Sequence, residues 1–135
     1  MRAWANSFLQ LDAVQFAKER LAFVPDERQA AVLDGAIERG LLNCTRQWGK
    51  STTAAAGAVH RVVMRPGSLV VIASPSKKQS AELVRTCVQM LGKRRIRTVR
   101  DGVHPVSAVL PNGSRMVGLP GNRRRRGGWR RFRCC

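Results

Sequence analysis

The spacing of apolar residues predicts two helices in the first third of the chain. Residues 12–22, DAVQFAKERLA, place apolar side chains at approximately helical spacing. The next stretch, PDERQAAVLDGAIER, opens with two residues that favour a helix start and is followed by Gly40, which favours a helix end. We assign the first helix to an N-terminal extension over residues 1–23, and we begin the main domain at residue 24.

Apolar runs then predict strands that alternate with helices. The run LLNC at residues 41–44 suits a short buried strand, and an alanine-rich helix is expected from Lys50 to about Met64. The run SLVVIAS at residues 68–74 is rich in β-branched side chains, which is typical of strands covered on both faces. The following SKKQSAELVRTCVQML has the amphipathic pattern of a helix that ends at Leu91.

The last patterned stretch, VSAVLPNGSRMVGLP, predicts a hairpin. Its two strands would be joined at Asn112-Gly113, a dipeptide that favours tight hairpin turns. Because the preceding strands and helices alternate, the expected fold class is α/β with a parallel sheet rather than a helical bundle. The arginine-rich tail of residues 123–135 has little apolar surface to bury, so we expect it to be disordered.

Composition and charge narrow the class of protein. The 135 residues, of which 44% are hydrophobic, suffice for one domain with a core but not comfortably for two. The sequence lacks the roughly 20 consecutive apolar residues that span a bilayer and lacks a signal peptide, so we expect a cytoplasmic protein without a membrane partner. The net charge of +17 favours a phosphate-rich partner, although seven arginines follow Gly121. The four cysteines lack metal-ligand spacing, which argues against a zinc or disulfide framework.

The segment NCTRQWGKSTTAAA has most features of a phosphate-binding loop. Such a loop needs a strand, a tight turn whose backbone N–H groups point inward, and a helix whose N-terminus faces the phosphates. Residues 41–44 supply the expected strand, residues 45–49 supply the turn, and Lys50-Ser51 begin the helix. The sequence therefore predicts a nucleotide site here.

One position departs from the usual pattern. The common loop is Gly-x4-Gly-Lys-Ser, and Cys44 stands at the first glycine, where a residue with a side chain tolerates positive φ less readily. The alternative interpretation is an ordinary helix start that has an exposed lysine. The absence of acidic residues across positions 39–81 favours the nucleotide site.

Several segments, in their order, resemble the large subunit of bacteriophage terminases, the ATPases that drive DNA into capsids. LLNCTRQWGKSTTAAAGAVH resembles the variant Walker A segment of that family, and PDERQ is similar to the upstream segment whose glutamine contacts adenine. SLVVIASPSKKQSAEL resembles the next strand and turn, and LPNGSRMVGLPGN resembles the hairpin before the Walker B strand. The resemblance extends over about residues 24–122 and implies an incomplete P-loop NTPase-like domain with a three-layer parallel sheet.

The resemblance also implies a site for ATP and Mg²⁺. Backbone N–H groups of residues 47–51 would hold the β-phosphate, Lys50 would offset charge on the β- and γ-phosphates, and Ser51 would bind Mg²⁺. Arg46 would stabilise charge on the γ-phosphate, or is a solvated cation. Gln29 would contact adenine, or is a surface amide on a helix; Thr52 would assist at the metal or cap its helix. The residues expected at the nucleotide are Gln29, Thr45, Arg46, Gln47, Trp48, Gly49, Lys50, Ser51 and Thr52, with Arg46 and Lys50 as the catalytic candidates.

The acidic residues that ATP hydrolysis needs are missing from the pattern. The family places an Asp-Glu pair at the end of a strand after the hairpin, whereas the only acids after Lys50 are Glu82 and Asp101. We therefore expect the chain to be inactive alone, without a Walker B strand or a nuclease domain. The tail of residues 123–135 would be either a basic arm for DNA phosphates or a stretch out of the family's reading frame in a shifted or truncated product.

Three functions are compatible with these features. The favoured one is the ATP-binding N-terminal part of a terminase large subunit, encoded by a phage or prophage and acting in the bacterial cytoplasm. Its expected partners are double-stranded DNA and, in the intact family, the portal protein and the small terminase subunit. The alternatives are a fragment of a helicase-like P-loop ATPase and a small basic nucleic-acid-binding protein without nucleotide chemistry.

Overall fold

The computed structural model describes residues 12–34, 40–92, 96–101 and 104–121. Expectations for residues 1–11 and for the tail of residues 123–135 lie outside this described part and stay predictions. Within it the chain forms helices and strands in the following order: α1 (Ala13–Arg20), α2 (Glu27–Leu33), α3 (Lys50–Met64), β1 (Leu69–Ser74), α4 (Lys77–Leu91), β2 (Arg97–Asp101), β3 (His104–Val109) and β4 (Arg115–Pro120). The chain is therefore a mixed α/β protein.

Three of the helices begin at a residue whose side chain caps them. Asp12 accepts a hydrogen bond from the backbone of Gln15 before α1, and Ser76 accepts one from Gln79 before α4. Asp26 and Gln29 form a reciprocal capping box at the start of α2. Such caps satisfy backbone N–H groups that have no partner inside the helix, so these starts are determined locally.

The sheet has the strand order β1-β4-β3-β2. Strand β1 pairs with β4 in parallel, from Leu69 opposite Arg115 to Ser74 opposite Pro120. Strands β3 and β4 are antiparallel, as are β2 and β3. The predicted hairpin is thus confirmed, and its turn residue Gly113 has a φ of 83°.

The structure corrects the predicted strands in three respects. Residues 41–44 are not a strand, because no described strand lies beside them to form a ladder, and Leu41 is 93% exposed. Strand β2 was not predicted, because its sequence RTVRD has too few apolar residues to stand out. The sheet is mixed rather than parallel, because hairpin pairing of β2, β3 and β4 provides most of it.

The core lies between one face of the sheet and helices α3 and α4. Val59 and Val62 of α3, Val84 of α4 and Met116 of β4 are completely buried in it. At Gly118 the sheet and α4 approach so closely that a Cβ would lie 3.1 Å from a methyl of Val84. This close contact fixes the distance between α4 and the sheet.

Helices α1 and α2 pack on α3. Phe16 of α1 is buried in the main core, and its ring meets that of His60 edge-on, with centroids 5.4 Å apart. Leu33 of α2 packs with Ala17 and Ala56 in a smaller cluster. The N-terminal helix therefore shares the core of the main domain. The structure ends α2 at Leu33, whereas the sequence favoured a longer helix; residues 35–39 are outside the described part.

The opposite face of the sheet is open in the described part of the chain. Its apolar side chains Leu69, Val71, Val99 and Leu119 are each about half exposed. Strands β1 and β4 consequently alternate between buried and exposed positions, whereas the sequence of β1 suggested cover on both faces. Among the described residues, a third layer is not present. None of the described helices is long and apolar enough to cross a membrane.

Candidate functional site

The segment between α2 and α3 ends in a tight turn of unusual backbone conformation. Gln47 has a φ of 67° and Gly49 has a φ of 87°, so two residues of residues 45–49 occupy the left-handed region. Glycine adopts this conformation without strain, whereas glutamine does so at a cost of about 1 kcal/mol or more. A strained residue that persists beside a helix start is held in place by its surroundings.

The start of α3 differs from the other helix starts because no described side chain caps it. Gly49 is the capping residue and has no side chain to accept a hydrogen bond. The first backbone bond of the helix runs from the Thr53 N–H to the Gly49 carbonyl at 2.9 Å. The N–H groups of Lys50, Ser51 and Thr52 precede that bond, so the positive end of the helix dipole lies at the turn.

Lys50 folds back over the turn. Its Nζ donates a hydrogen bond to the carbonyl oxygen of Cys44 at 3.0 Å, and its side chain is exposed. The ammonium group therefore lies on the same loop as the uncapped N–H groups. An exposed hydrogen bond of this kind adds little to stability and leaves the ammonium free to exchange the carbonyl for an anionic ligand.

Gln29 holds the turn from the side of α2. Its Nε2 donates to the Trp48 carbonyl at 2.8 Å, and its Oε1 accepts from the Asp26 N–H at 2.9 Å. The residue is only 8% exposed. The resemblance implies that this glutamine contacts adenine, whereas the structure places both ends of its amide in hydrogen bonds within the chain.

Thr53 is a part of the site that the sequence did not predict. It is almost fully buried, and its Oγ1 donates to the Gly49 carbonyl at 2.9 Å. Its buried hydroxyl is therefore satisfied by the same carbonyl that begins the helix. A threonine in the first turn after Gly-Lys-Ser is the only sequence signal for it, and the neighbouring Thr52 offers the same one.

The remaining predicted residues line the turn. The side chains of Thr45, Arg46, Gln47 and Ser51 are exposed, and those of Trp48 and Thr52 are half-buried. The structure therefore brings the whole predicted set into one segment, with Gln29 behind it. Because Gly49 occupies the cap position, Thr52 lies inside the helix and does not cap it.

The two acidic residues that follow Lys50 lie on other elements of the chain. Glu82 is exposed on α4 and pairs with Arg85 at 3.6 Å, and Asp101 ends β2 at the opposite edge of the sheet from β1. In the described ranges no group of three or more His, Cys, Asp or Glu residues is placed to hold a metal. Asp26, whose carboxylate caps α2, is linked to the loop through Gln29.

The buried cysteine is not a second reactive centre. Burial raises the pKa of the Cys87 thiol from 9.0 to about 12, despite an opposing hydrogen bond with the backbone. The thiolate is the nucleophilic form, so Cys87 is unreactive at neutral pH. Its Sγ lies 3.9 Å from the carbonyl oxygen of Ala55 and fills the space between α4 and α3.

Comparison with known proteins identified no similar protein. No model of a protein family matches the chain, and neither a curated protein nor a solved structure matches it. The chemistry of the loop is therefore argued from its own residues and geometry.

Proposed function

We propose that this chain binds a nucleoside triphosphate with Mg²⁺ on the loop of residues 45–52. In this proposal it is the ATP-binding N-terminal part of a DNA-packaging motor of the terminase type, and the described fold is part of a P-loop NTPase domain. The observation that carries the proposal is the left-handed turn at Gly49, directly before a helix whose first N–H groups have no side-chain cap. Anions are stabilised at such helix starts by N–H groups and by the helix dipole.

The donor set of the loop fits a polyphosphate. The N–H groups of Lys50, Ser51 and Thr52 and the Lys50 ammonium are all donors or cations, and residues 45–52 contain no acidic residue. Lys50 would exchange the Cys44 carbonyl for phosphate oxygens, because a charge-assisted hydrogen bond is stronger than a neutral one. Arg46, exposed in the same turn, would add a second positive charge near the terminal phosphate.

Mg²⁺ would enter with the nucleotide. This ion commonly keeps several waters and uses one or two protein oxygens together with phosphate oxygens. The exposed hydroxyl of Ser51 is the protein oxygen that fits this need. When bound, Mg²⁺ would neutralise charge on the phosphates. The described residues support binding, and we assign no hydrolytic step to them.

The test compares two lysines at equivalent helix positions. Lys50 and Lys77 are each the first residue of a 15-residue helix, but only the helix of Lys77 is capped by a serine. We expect Lys50→Ala to lower the affinity for Mg²⁺-ATP by about 10- to 100-fold, the equivalent of one charge-assisted hydrogen bond. We expect Lys77→Ala to change it less than about twofold at ionic strength near 0.15 M, since exposed charges are screened there.

Isothermal titration calorimetry would measure the two variants beside the unchanged protein. Because the chain carries +17 charges, the Lys77 variant also reports how much ATP binds through charge alone. Equal affinities for the unchanged protein and Lys50→Ala would end the proposal.

The charge itself favours a second function, binding of double-stranded DNA. A protein of +17 net charge whose last residues include seven arginines should release counterions on DNA, so its affinity should fall steeply with salt. DNA binding that survives Lys50→Ala and is lost when residues 122–135 are removed, together with no ATP binding that depends on Lys50, would identify the chain as a basic nucleic-acid-binding protein. In the motor proposal the two activities coexist.

A further inference from the structure

The side chain of Gln29 has a defined direction, because two different partners hold its two ends. Oε1 accepts from the Asp26 N–H at 2.9 Å, while the Gln29 N–H donates to the Asp26 carboxylate at 2.7 Å. Nε2 donates to the Trp48 carbonyl at 2.8 Å. Exchanging the amide oxygen and nitrogen would set donor against donor and acceptor against acceptor, so the network permits one orientation.

The same amide lies against the turn at its most constrained point. A Cβ added to Gly49 would be 3.0 Å from Nε2 of Gln29. The capping box of α2 thus extends, through one side chain, to the peptide that joins Trp48 to Gly49. Gln47 and Gly49, on either side of Trp48, both have positive φ. The hydrogen bond from Gln29 therefore fixes the Trp48 carbonyl between the two left-handed residues of the turn.

Contact with a base would compete with this arrangement. A glutamine recognises adenine through a pair of hydrogen bonds, one donated by its NH₂ group and one accepted by its oxygen. In this chain the oxygen is engaged by Asp26, and the residue is 8% exposed. The amide keeps one further lone pair and one further N–H, but in a side chain that is 8% exposed they do not face an open surface. Gln29 would therefore have to leave both partners to reach a base, which would release the loop.

We infer that Gln29 is a positioning residue for the phosphate-binding loop, and that the site selects ligands by their polyphosphate rather than by adenine. This inference rests on the proposed function and assigns to Gln29 a role different from base recognition. It predicts that ATP, GTP and inorganic tripolyphosphate all depend on Gln29 to the same degree.

The test uses a substitution that separates the two hydrogen bonds. Gln29→Glu keeps an oxygen for the Asp26 N–H but sets a second oxygen against the Trp48 carbonyl. The matched control is Gln79→Glu, because Gln79 occupies the same third position after a side-chain cap in α4. We expect Gln29→Glu to weaken ATP, GTP and tripolyphosphate alike by about 5- to 10-fold, the effect of one lost hydrogen bond. Gln79→Glu should leave all three affinities within about twofold, because it changes an exposed charge alone.

A second measurement requires no ligand. Amide hydrogen exchange of residues 45–53, followed by mass spectrometry, should become faster in Gln29→Glu and stay unchanged in Gln79→Glu. At a pH low enough to protonate the introduced carboxyl, its O–H can donate to the Trp48 carbonyl. The exchange rate of the loop in Gln29→Glu should then return toward that of the unchanged protein at the same pH. Such recovery with pH would not follow from a general loss of folding.

The outcomes separate this inference from the proposed function. Loss of ATP affinity alone, with GTP and tripolyphosphate unaffected, would show base recognition and overturn the inference while leaving the nucleotide site intact. Loop exchange that is unchanged in Gln29→Glu would also overturn it. If exchange responds as expected but the unchanged protein binds none of the three ligands better than Lys50→Ala does, the positioning role stands and the proposed function fails.

Discussion

The two ends of helix α3 differ in the side-chain hydrogen bonds that they receive from the rest of the chain. At the C-terminal end, Asn112 Nδ2 donates to the Val62 carbonyl at 2.7 Å, and Ser114 Oγ donates to the Arg65 carbonyl at 3.0 Å. These side chains reach the helix from the β3–β4 turn. At the N-terminal end, Gly49 offers no side chain, and no other described residue caps the helix.

The difference lies in whether the backbone groups at each end of α3 have a side-chain partner among the described residues. Both ends of any helix have backbone groups without an intrahelical partner, and folded proteins normally satisfy them. At the C-terminal end of α3 the carbonyls of Val62 and Arg65 are satisfied by side chains of the chain itself, and helix α4 is capped by Ser76 at its start. The start of α3 is the exception, and it coincides with the Gly-Lys-Ser sequence. An anionic ligand would complete it.

The largest effect on stability should follow from removing the side chain of Asn112, which bonds the C-terminal end of α3. Asn112→Ala leaves the Val62 carbonyl and the Ser114 N–H without their partners, so we expect the free energy of unfolding to fall by about 2 kcal/mol. Asn112→Asp keeps an acceptor for the Ser114 N–H but sets a carboxylate oxygen against the Val62 carbonyl, at the negative end of the helix dipole, so it should be at least as destabilising as Asn112→Ala. Urea denaturation measures both variants; a change below about 0.5 kcal/mol in Asn112→Ala would be that of an ordinary surface substitution and would contradict this account.

The N-terminal end of α3 should be sensitive to the backbone conformation of Gly49. Gly49→Ala forces a side chain into positive φ and against Gln29, whereas Gly67→Ala, at a φ of 73°, has no atom within 4 Å of the new Cβ. We expect about 1 kcal/mol of destabilisation in Gly67→Ala and about 2 kcal/mol in Gly49→Ala. Thermal or urea unfolding measures the difference.

Binding separates these glycine variants further. Only Gly49→Ala should weaken tripolyphosphate, because only its strain acts on the loop. Equal binding by both variants would mean that the turn at Gly49 does not shape the ligand site.

Between its two ends, helix α3 is buried against α4, and the dependence of stability on pH tests this burial. The Cys87 thiol beside Ala55 has its pKa raised by burial to about 12. Below pH 9 the thiol is protonated in both the folded and the unfolded chain, so pH has no effect through it. From pH 9 toward 12 the unfolded chain loses this proton and the folded chain keeps it, so stability falls by up to about 1.4 kcal/mol per pH unit.

The matched variant for this pH effect is Cys87→Ala. It should be less stable than the unchanged protein near neutral pH, because it leaves a small cavity, but its stability should fall less steeply above pH 9. Denaturation at a series of pH values compares the two slopes. Parallel curves would show that Cys87 titrates alike in both states and is not buried as described.

The smallest effect on stability should come from charged side chains at the two ends of α3. A positive charge opposes the helix dipole at the start and complements it at the end. We therefore expect Lys50→Gln to raise stability without ligand, and Arg61→Gln, in the last turn, to lower it, each by about 0.3–1 kcal/mol at low salt. Both shifts should shrink as salt is added. A loss of stability in Lys50→Gln would mean that its bond to the Cys44 carbonyl outweighs the dipole term.

The elements that could be predicted are those whose causes lie near each other in the chain. Helices α3 and α4, strand β1 and the hairpin at Asn112-Gly113 follow from periodicity, β-branched runs and turn chemistry. The strand predicted at residues 41–44 was wrong, because so short a run forms a strand only beside a partner strand. Strand β2 was missed for the converse reason: pairing with β3 makes it a strand, although its composition is polar.

By itself, the sequence determined the local parts of the site: the glycine that permits the turn, the lysine that follows it and the helix that begins there. Only the tertiary structure decided what surrounds them, namely the hydrogen bond from the Gln29 amide to Trp48 and the side chains that satisfy the C-terminal end of α3. The physical reason is that caps, turns and helical propensity act over a few neighbouring residues. A hydrogen bond across 19 or 50 positions, such as Gln29 to Trp48 or Asn112 to Val62, exists only once packing has brought its partners together.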